Sequence, residues 1–470
     1  MKPSPIQFGT DGWRAVIADT YTFENVRAIA AALAGYLKTS EPEKIKNGIV
    51  IGYDTRFLSP EFARTAAETI AALGVPVMLS DRDASTPAIS WAVRNGGFAG
   101  GVMITASHNP PKYNGFKFFL GSGQSADKEA TAGVEALLGK KQKAAATPAA
   151  IQEFDPIPAY LEQLRNVVDF KLLKKNKGRA VCDFVHGVGR GMLDEALRSC
   201  GWKVTTIRAE PDPMFGGILP DPANPLCHNT LQEAVRKNKA DLGLANDPDA
   251  DRFGVVDSKG VYLSPNQVIA LLYVHLLTYR GEKGDIARTV ATTHLLDNIA
   301  AKHGQQVKET AVGFKWLGAA LDAGEAILGG EESGGISVAN HTLSKDGIVA
   351  DLLMAEVWAV HKAPLSEVYA KLMRKYGAYY SSRIDVHLTT EAKDALMQSM
   401  QATPPKEFAG SPVANVVTLD GVKFNLEDGS WLLLRPSGTE PLVRVYVEAK
   451  SKPRLKELEQ AAAQLSEQAS

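Results

Sequence analysis

The sequence predicts an α/β protein built from three similar units and followed by a smaller α+β domain, and three observations carry that reading. One plan recurs three times: an apolar strand, a polar or glycine turn, an amphipathic helix closed by Gly, and a second strand. After each copy a further apolar strand runs into an unusual loop. From about residue 376 the plan gives way to alternating strands and a helical tail. Strand alternating with helix implies βαβ units and largely parallel sheets.

The first copy begins at Ile49-Val50-Ile51, turns at Asp54-Thr55-Arg56, runs through a helix ending near Gly74, and resumes as Val75-Pro76-Val77. The second begins at Ala180-Val181-Cys182, turns at His186-Gly187-Val188-Gly189, ends its helix near Gly201, and resumes as Lys203-Val204-Thr205. The third begins at Thr289-Val290-Ala291, turns at Thr292-Thr293-His294, ends its helix near Gly304, and resumes as Gln306-Val307. A Gly just past each helix suits a left-handed C-cap. The further strands are 100–104, leading to Ser107; 241–245, leading to Asn246-Asp247-Pro248-Asp249-Ala250-Asp251-Arg252; and 326–328, leading to Gly330-Glu331-Glu332-Ser333-Gly334-Gly335. Loops at the carboxyl ends of strands are where open α/β sheets place their sites, so the three units are expected to face one cleft. Strands at 382–388 and 442–449 and a helix from 453 make up the last domain. Linkers are expected at 139–156, after Asp257-Ser258, and near 373–380, which gives domains at 1–152, 153–258, 259–374 and 375–470.

A chain of 470 residues suggests three to four domains, and 45% apolar with 22% charged residues is the balance of a soluble globular protein. A net charge of −1 gives no reason to expect nucleic acid or an anionic membrane as partner. Cys182, Cys200 and Cys227 form neither a disulfide framework nor a zinc pattern, which fits a reducing compartment. The opening MKPSPIQFGTDGWR lacks a signal-peptide apolar stretch and no run approaches membrane-spanning length, so a cytoplasmic protein is expected.

Chemistry concentrates in the loops. Ser107, in Met-Ile-Thr-Ala-Ser-His-Asn-Pro-Pro (103–111), ends a buried strand at a rigid loop and is a candidate nucleophile or phosphate carrier, against the alternative of a turn serine. Asp247, Asp249 and Asp251 alternate, so in an extended stretch their carboxylates point one way and call for a hard cation such as Mg²⁺ or Ca²⁺. An EF-hand is excluded because Arg252 stands where that loop needs Gly and Ser258 where it needs Glu. A solvated acidic turn is the bland alternative. Arg435-Pro436-Ser437-Gly438-Thr439-Glu440-Pro441 offers an arginine fork, hydroxyls and exposed backbone N–H groups, a cradle for a phosphate dianion or else a plain strand connection. Glu331, Glu332 and Ser333 between glycines suit vicinal sugar hydroxyls, or form an interdomain turn. Lys117 and Lys315 could neutralise phosphate or move a proton; His108 adjoins the serine; Arg14 follows the glycines of 8–14.

Taken together, FGTDGWR (8–14), TASHNPPKYNGFK (105–117), DPDADR (247–252), GEESGG (330–335) and RPSGTEP (435–441) strongly resemble the α-D-phosphohexomutase superfamily, in the right order and over almost the whole chain. The resemblance implies three related α/β domains with mixed sheets and a C-terminal α+β domain of TATA-binding-protein-like topology around a central cleft. It implies that Ser107 is a phosphoserine and that Asp247, Asp249 and Asp251 bind Mg²⁺ with the serine phosphate. Glu331 and Ser333 would read sugar hydroxyls, and Arg435, Ser437, Gly438 and Thr439 would hold the idle phosphate. Arg14, His108, Lys117 and Arg252 would line the reacting phosphate. Relatives acting on mannose and glucose phosphates tend to end the sugar loop Ser-Gly-His, and glucosamine-phosphate mutases typically carry Gln at the position of Glu332. With Glu332, Gly335, GFKW (313–316) and Lys345-Asp346-Gly347, this chain looks like the phosphoglucomutase branch. The expected partner is a sugar phosphate, with glucose 1,6-bisphosphate as activator, in a monomer or weak homodimer. Because Gly335 replaces the histidine, Lys117 and Lys315 are the candidates for acid/base work. A Mg²⁺-dependent phosphomonoesterase is the rival enzyme, and a sugar-phosphate-binding regulator the non-enzymatic one.

Overall fold

A computed structural model of the chain describes residues 6–9, 11–437 and 442–468, with side chains described as far as 465. The first sheet contains β1 (Trp13–Val16), β2 (Ile49–Tyr53), β3 (Val77–Ser80), β4 (Gly100–Ile104), β5 (Tyr113–Leu120) and β6 (Ile151–Phe154), in the order β1-β5-β4-β2-β3-β6. The second contains β7 (Arg179–Asp183), β8 (Lys203–Ile207), β9 (Leu242–Asn246), β10 (Phe253–Asp257) and β11 (Tyr262–Leu263), in the order β11-β10-β9-β7-β8. The third contains β12 (Ile286–Thr289), β13 (Val307–Thr310), β14 (Leu328–Glu331) and β15 (Gly335–Val338), in the order β13-β12-β14-β15.

One pattern underlies all three. The first core strand (β2, β7 or β12) lies between two parallel neighbours, β3 and β4, β8 and β9, or β13 and β14. The next strand then folds back antiparallel against the last of these: β5 on β4, β10 on β9, β15 on β14. The sheets are therefore mixed. The serine, aspartate and Glu-Glu-Ser loops are equivalent parts of the repeat, each joining the third core strand to the strand that folds back on it.

The strands form where apolar residues are buried on both faces, as in Gly100–Ile104, where every residue is buried. The helices following β2, β7 and β12 close at Gly74, Gly201 and Gly304, with φ of +79°, +80° and +66°. In the third unit the strand expected at 289–291 is Ile286–Thr289 instead. Val290 and Ala291 are apolar for another reason: they pack against Trp431, Leu433 and Tyr446 of the last domain. Likewise β14 starts at Leu328, later than the 326–328 expected.

The linkers are shorter than expected. Residues 151–154 of the supposed 139–156 linker form β6, parallel to β3, and Ala145 and Ala149 donate to the carbonyls of Ala72 and Ala71. The chain after Asp257 returns as β11 on the second sheet. Between the helix Leu365–Tyr376 and the next strand only 377–379 remain.

The last domain is one antiparallel sheet of β16 (Tyr380–His387), β17 (Glu407–Phe408), β18 (Ser411–Val417), β19 (Val422–Leu426), β20 (Trp431–Pro436) and β21 (Leu442–Ala449), in the order β16-β21-β20-β19-β18-β17. The helices Thr390–Ala402 and Lys452–Gln468 cover one face. Among the described residues the largest core is shared between the second and third units. Its centre is the helix Gly347–His361, buried at every position from Gly347 to Ala359. A helix apolar all round is stable only when enclosed by neighbours. Among the described residues no helix is long and apolar enough to cross a membrane.

Candidate active site

Ser107 follows β4 with φ +50°, a left-handed conformation that costs an L-residue free energy unless its surroundings hold it. Its N–H donates to Thr105 Oγ1 at 2.8 Å, and Arg56 donates to its carbonyl. The hydroxyl is completely buried and donates to Asp247 Oδ2 at 2.8 Å; His108 Nδ1 is 3.3 Å from Ser107 Oγ.

The aspartates converge, but not in the extended stretch that their alternation suggests. The strand ends at Asn246 and the chain makes a tight turn in which Ala250 takes φ +55° and its N–H donates to the Asp247 carbonyl at 2.9 Å. This turn buries all three carboxylates and brings one oxygen of each within 4.8 Å of the others. Asp249 Oδ1 and Asp251 Oδ1 are buried without a hydrogen-bond partner among the described residues, an arrangement that suits a hard divalent cation. Asp249 also accepts from Thr86 Oγ1 at 2.6 Å.

Cations from three units surround this cluster. Lys117 Nζ donates to Asp249 and Asp251, both at 2.8 Å, and lies 3.1 Å from Asp11. Lys345 Nζ is 3.2 Å from Asp11 and 3.4 Å from Asp251. Arg14 reaches Asn109 Oδ1 at 2.8 Å and Asp11 at 3.3 Å. Arg252 pairs with Asp221 at 3.2 Å, while its N–H donates to Asp247 Oδ1 at 3.0 Å. Burial followed by repulsion from Asp249 and Asp251 holds the Asp247 carboxyl well above the usual carboxylate range. Burial acts the same way on Asp249, but the Lys117 ammonium and the Thr86 hydroxyl outweigh it and hold Asp249 low. Burial alone would neutralise Lys117; Asp11, Asp249 and Asp251 keep it firmly charged. Burial and then the cations Arg252, Arg14, Lys345 and Lys117 push His108 well below its ordinary value, so its ring is neutral.

In the third loop the Glu331 carboxylate is buried and accepts from Ser333 Oγ at 2.7 Å. Glu332 turns away from it and accepts from Thr289 and Thr292 at 2.8 and 3.2 Å. Gly335 leaves room that Lys345 fills: a Cβ there would lie 2.5 Å from Lys345 Cδ and 2.9 Å from Glu331 Oε1. Glu332 and Ser333 also line a cleft of about 900 Å³ whose far wall includes Arg383, Trp431 and Tyr446.

Ser107, His108, Lys117, Arg14, Arg252 and the three aspartates thus meet in one place, with Glu331 joined to them through Lys345. Lys315 and Arg435 make no contact with that cluster among the described residues. Lys315 lies over the Trp316 ring at 5.5 Å, and the charged groups it feels are Lys128 and Asp127. Arg435 Nε donates to Asp420 Oδ2 at 2.9 Å. Ser437 is buried and its N–H donates to the Leu442 carbonyl at 2.9 Å; Gly438 and Thr439 lie outside the described residues. Sequence reasoning passed over Lys345, Asp11, Thr86 and Arg56. Lys345 was visible only as a branch marker and Arg56 only as part of a turn.

Domain models of one family match the chain in order: the phosphoglucomutase/phosphomannomutase alpha/beta/alpha domains I, II and III at residues 5–145, 158–260 and 264–376, and the C-terminal domain at 387–465. A phosphoglucomutase/phosphomannomutase of Thermococcus kodakarensis is 32% identical over 98% of both chains. A Methanothermobacter thermautotrophicus protein assigned as a phosphoglucosamine mutase is 32% identical over 95% of this chain and 94% of its own. The crystal structure of a Thermus thermophilus protein assigned as a phosphomannomutase superposes with a TM-score of 0.86 at 35% identity, covering 99% of this chain and 100% of that one.

Proposed function

The chain belongs to the phosphoglucomutase/phosphomannomutase family of phosphohexomutases, and from that premise we propose that it interconverts glucose 1-phosphate and glucose 6-phosphate through phospho-Ser107 and a glucose 1,6-bisphosphate intermediate. The observation that carries the reading is the buried Ser107 hydroxyl, 2.8 Å from Asp247 inside a ring of carboxylates and cations contributed by three units.

In the forward direction the bond between Ser107 Oγ and phosphorus breaks as the free sugar hydroxyl forms its own bond to phosphorus. The bisphosphate then turns end for end, and its other phosphate returns to Ser107. Each transfer removes one proton from the attacking oxygen and delivers one to the departing oxygen. Lys117 and Lys345, held charged at rest by Asp11, Asp249 and Asp251, give a proton to the departing oxygen and regain one from the attacking hydroxyl, so the pair is charged again after each transfer. His108, 3.3 Å from Ser107 Oγ, is within hydrogen-bond reach of that oxygen and orients it. Asp247, Asp249 and Asp251 would hold a Mg²⁺ ion, which supplies positive charge to the phosphoryl oxygens. Arg14 and Arg252 add fixed charge from the first and second units.

Glu331 and Ser333 read the sugar hydroxyls, and Arg435, Ser437, Gly438 and Thr439 grip whichever phosphate is idle. Closure of the last domain, which meets the third unit at the apolar patch of Val290, Ala291, Trp431, Leu433 and Tyr446, excludes water. Glucose is favoured over mannose by Gly335, which stands where mannose-acting relatives tend to carry a histidine. It is favoured over glucosamine by Glu332, fixed by Thr289 and Thr292.

Mutase assays on glucose, mannose and glucosamine 1-phosphates, with and without glucose 1,6-bisphosphate, test this directly. Glucose 1-phosphate is expected to give the highest kcat/KM, and Ser107→Ala to abolish turnover. A higher kcat/KM for either other sugar overturns the preference, release of inorganic phosphate in place of isomer points to a phosphomonoesterase, and wild-type turnover by Ser107→Ala ends the phosphoserine reading.

A further inference from the structure

Arg56 takes no part in the cluster of phosphate-directed groups, yet the whole serine loop hangs on it. It follows β2, is 2% exposed, and donates to four loop carbonyls: Ser107, Asn109, Pro110 and Tyr113, the last two at 3.0 Å. Its Nε lies 3.3 Å from the buried Asp54 carboxylate, which also accepts from the hydroxyls of Ser59 and Thr105. Thr105 in turn accepts the Ser107 N–H. The other side of the guanidinium lies 4.8 Å from the Phe215 ring, and the adjoining Thr55 hydroxyl donates to the His186 carbonyl at 2.9 Å. Phe215 and His186 belong to the second unit, which carries the aspartate loop.

Three features separate this arrangement from ordinary turn closure. A buried guanidinium is an expensive way to satisfy carbonyls that water could serve at the surface. A planar fork fixes several acceptors at once in a geometry that a lysine cannot match. Asp54 balances the charge, so what Arg56 contributes to the site is position rather than field. Its bond to the Ser107 carbonyl helps hold the backbone at φ +50°, the conformation in which the side chain reaches Asp247. Its contact with Phe215 sets that loop against the unit presenting Asp247.

We propose that Arg56 is a positioning residue for phosphoryl transfer: by clamping residues 107–113 and bearing on Phe215, it sets the line along which Ser107 Oγ meets phosphorus. The proposal rests on the phospho-Ser107 reading. Misplacing a reacting atom by an ångström costs about 10²-fold in rate, and a group acting only on the transition-state geometry lowers kcat while leaving KM nearly unchanged.

The test compares wild type with Arg56→Lys, which keeps the charge and loses the fork, and Phe215→Leu, which keeps an apolar side chain and loses the ring face. Ser107 phosphorylation is measured by peptide mass after incubation with glucose 1,6-bisphosphate, alongside kcat, KM and Tm. Arg56→Lys is expected to lower kcat on the order of 10²-fold with KM within about 3-fold, and Phe215→Leu to lower kcat several-fold, both beyond what any fall in Tm explains. Arg56→Lys with near-wild-type kcat, or with its loss expressed in KM, overturns the proposal. If Arg56→Lys does not fold, a folded Phe215→Leu with wild-type kcat overturns it. Active wild-type enzyme whose Ser107 is never modified removes the phosphoserine reading and the proposal with it; a modified Ser107 with an unaffected Arg56→Lys removes only the role of Arg56.

Discussion

Replacing Lys345 by Met preserves most of the side-chain volume and deletes one charge from the centre of the site. In wild type that ammonium lies 3.2 Å from Asp11 and 3.4 Å from Asp251, which at an effective dielectric near 20 is a gross attraction of about 5 kcal/mol for each pair. Desolvation cancels most of it, and breaking a buried pair typically costs about 3–5 kcal/mol. Here Lys117 remains 3.1 Å from Asp11 and 2.8 Å from Asp251, so neither carboxylate is abandoned and the stability loss is expected nearer 2 kcal/mol. Activity suffers more, since a preorganised donor at the phosphoryl group is worth about 10²-fold in kcat.

The pH profile carries a second signature. Burial raises the Glu331 carboxyl above its usual range, and the Lys345 charge is the largest influence opposing that rise. Without Lys345 the Glu331 carboxyl titrates at still higher pH. If sugar recognition needs the carboxylate form, activity is lost as pH falls through that titration, so the acid limb of kcat/KM moves to higher pH in Lys345→Met. The measurement is a pH–rate series on glucose 1-phosphate with both proteins. An acid limb in its wild-type place, together with kcat within about 3-fold, would refute both the charge ledger and the proton-donor role.

Asp249→Asn is expected to cost on the order of 10² or more in kcat and some stability as well, because it loses the ion pair with Lys117; a kcat loss of only a few-fold, measured beside Tm, would make the loop merely structural. Lys423, buried against His294, Glu309 and the Val290 carbonyl, has its ammonium pushed down to about 8, chiefly by burial. Its depressed folded value means that a protonated Lys423 opposes folding by on the order of 3 kcal/mol below pH 8, a penalty that fades as pH rises from 8 towards the unfolded value near 10.5. Wild type should therefore gain stability relative to Lys423→Met across that window, and parallel denaturation curves for the two proteins from pH 7 to 10 would contradict it.

What could be read from the chain divides along a physical line. The repeat was legible because each copy buries its strands on both faces and closes its helix with a left-handed Gly. Ser107 and the aspartates were legible because their chemistry is local in sequence. The aspartates' turn was not, since alternation suggests a strand and nothing local announces Ala250 at positive φ. The start of β12 was misplaced because Val290 and Ala291 are apolar for the last domain and not for the sheet. Lys345 reaches Asp11 across 334 positions of sequence, a pairing that only the folded chain creates. Arg56 was hidden the same way: its partners are backbone carbonyls, which leave no trace in side-chain identity.

The core shared by the second and third units bears on how such chains can be recombined. The helix Gly347–His361 is wrapped by apolar neighbours from both units, so the passage from the second sheet to the third, after Leu263, separates no free-standing modules. A chimera joined there would set one parent's leucines against the other's contours, and each half expressed alone would bare an oily flank to water. Junctions near 155 or 377, where separate cores abut, should give hybrids that survive far more often.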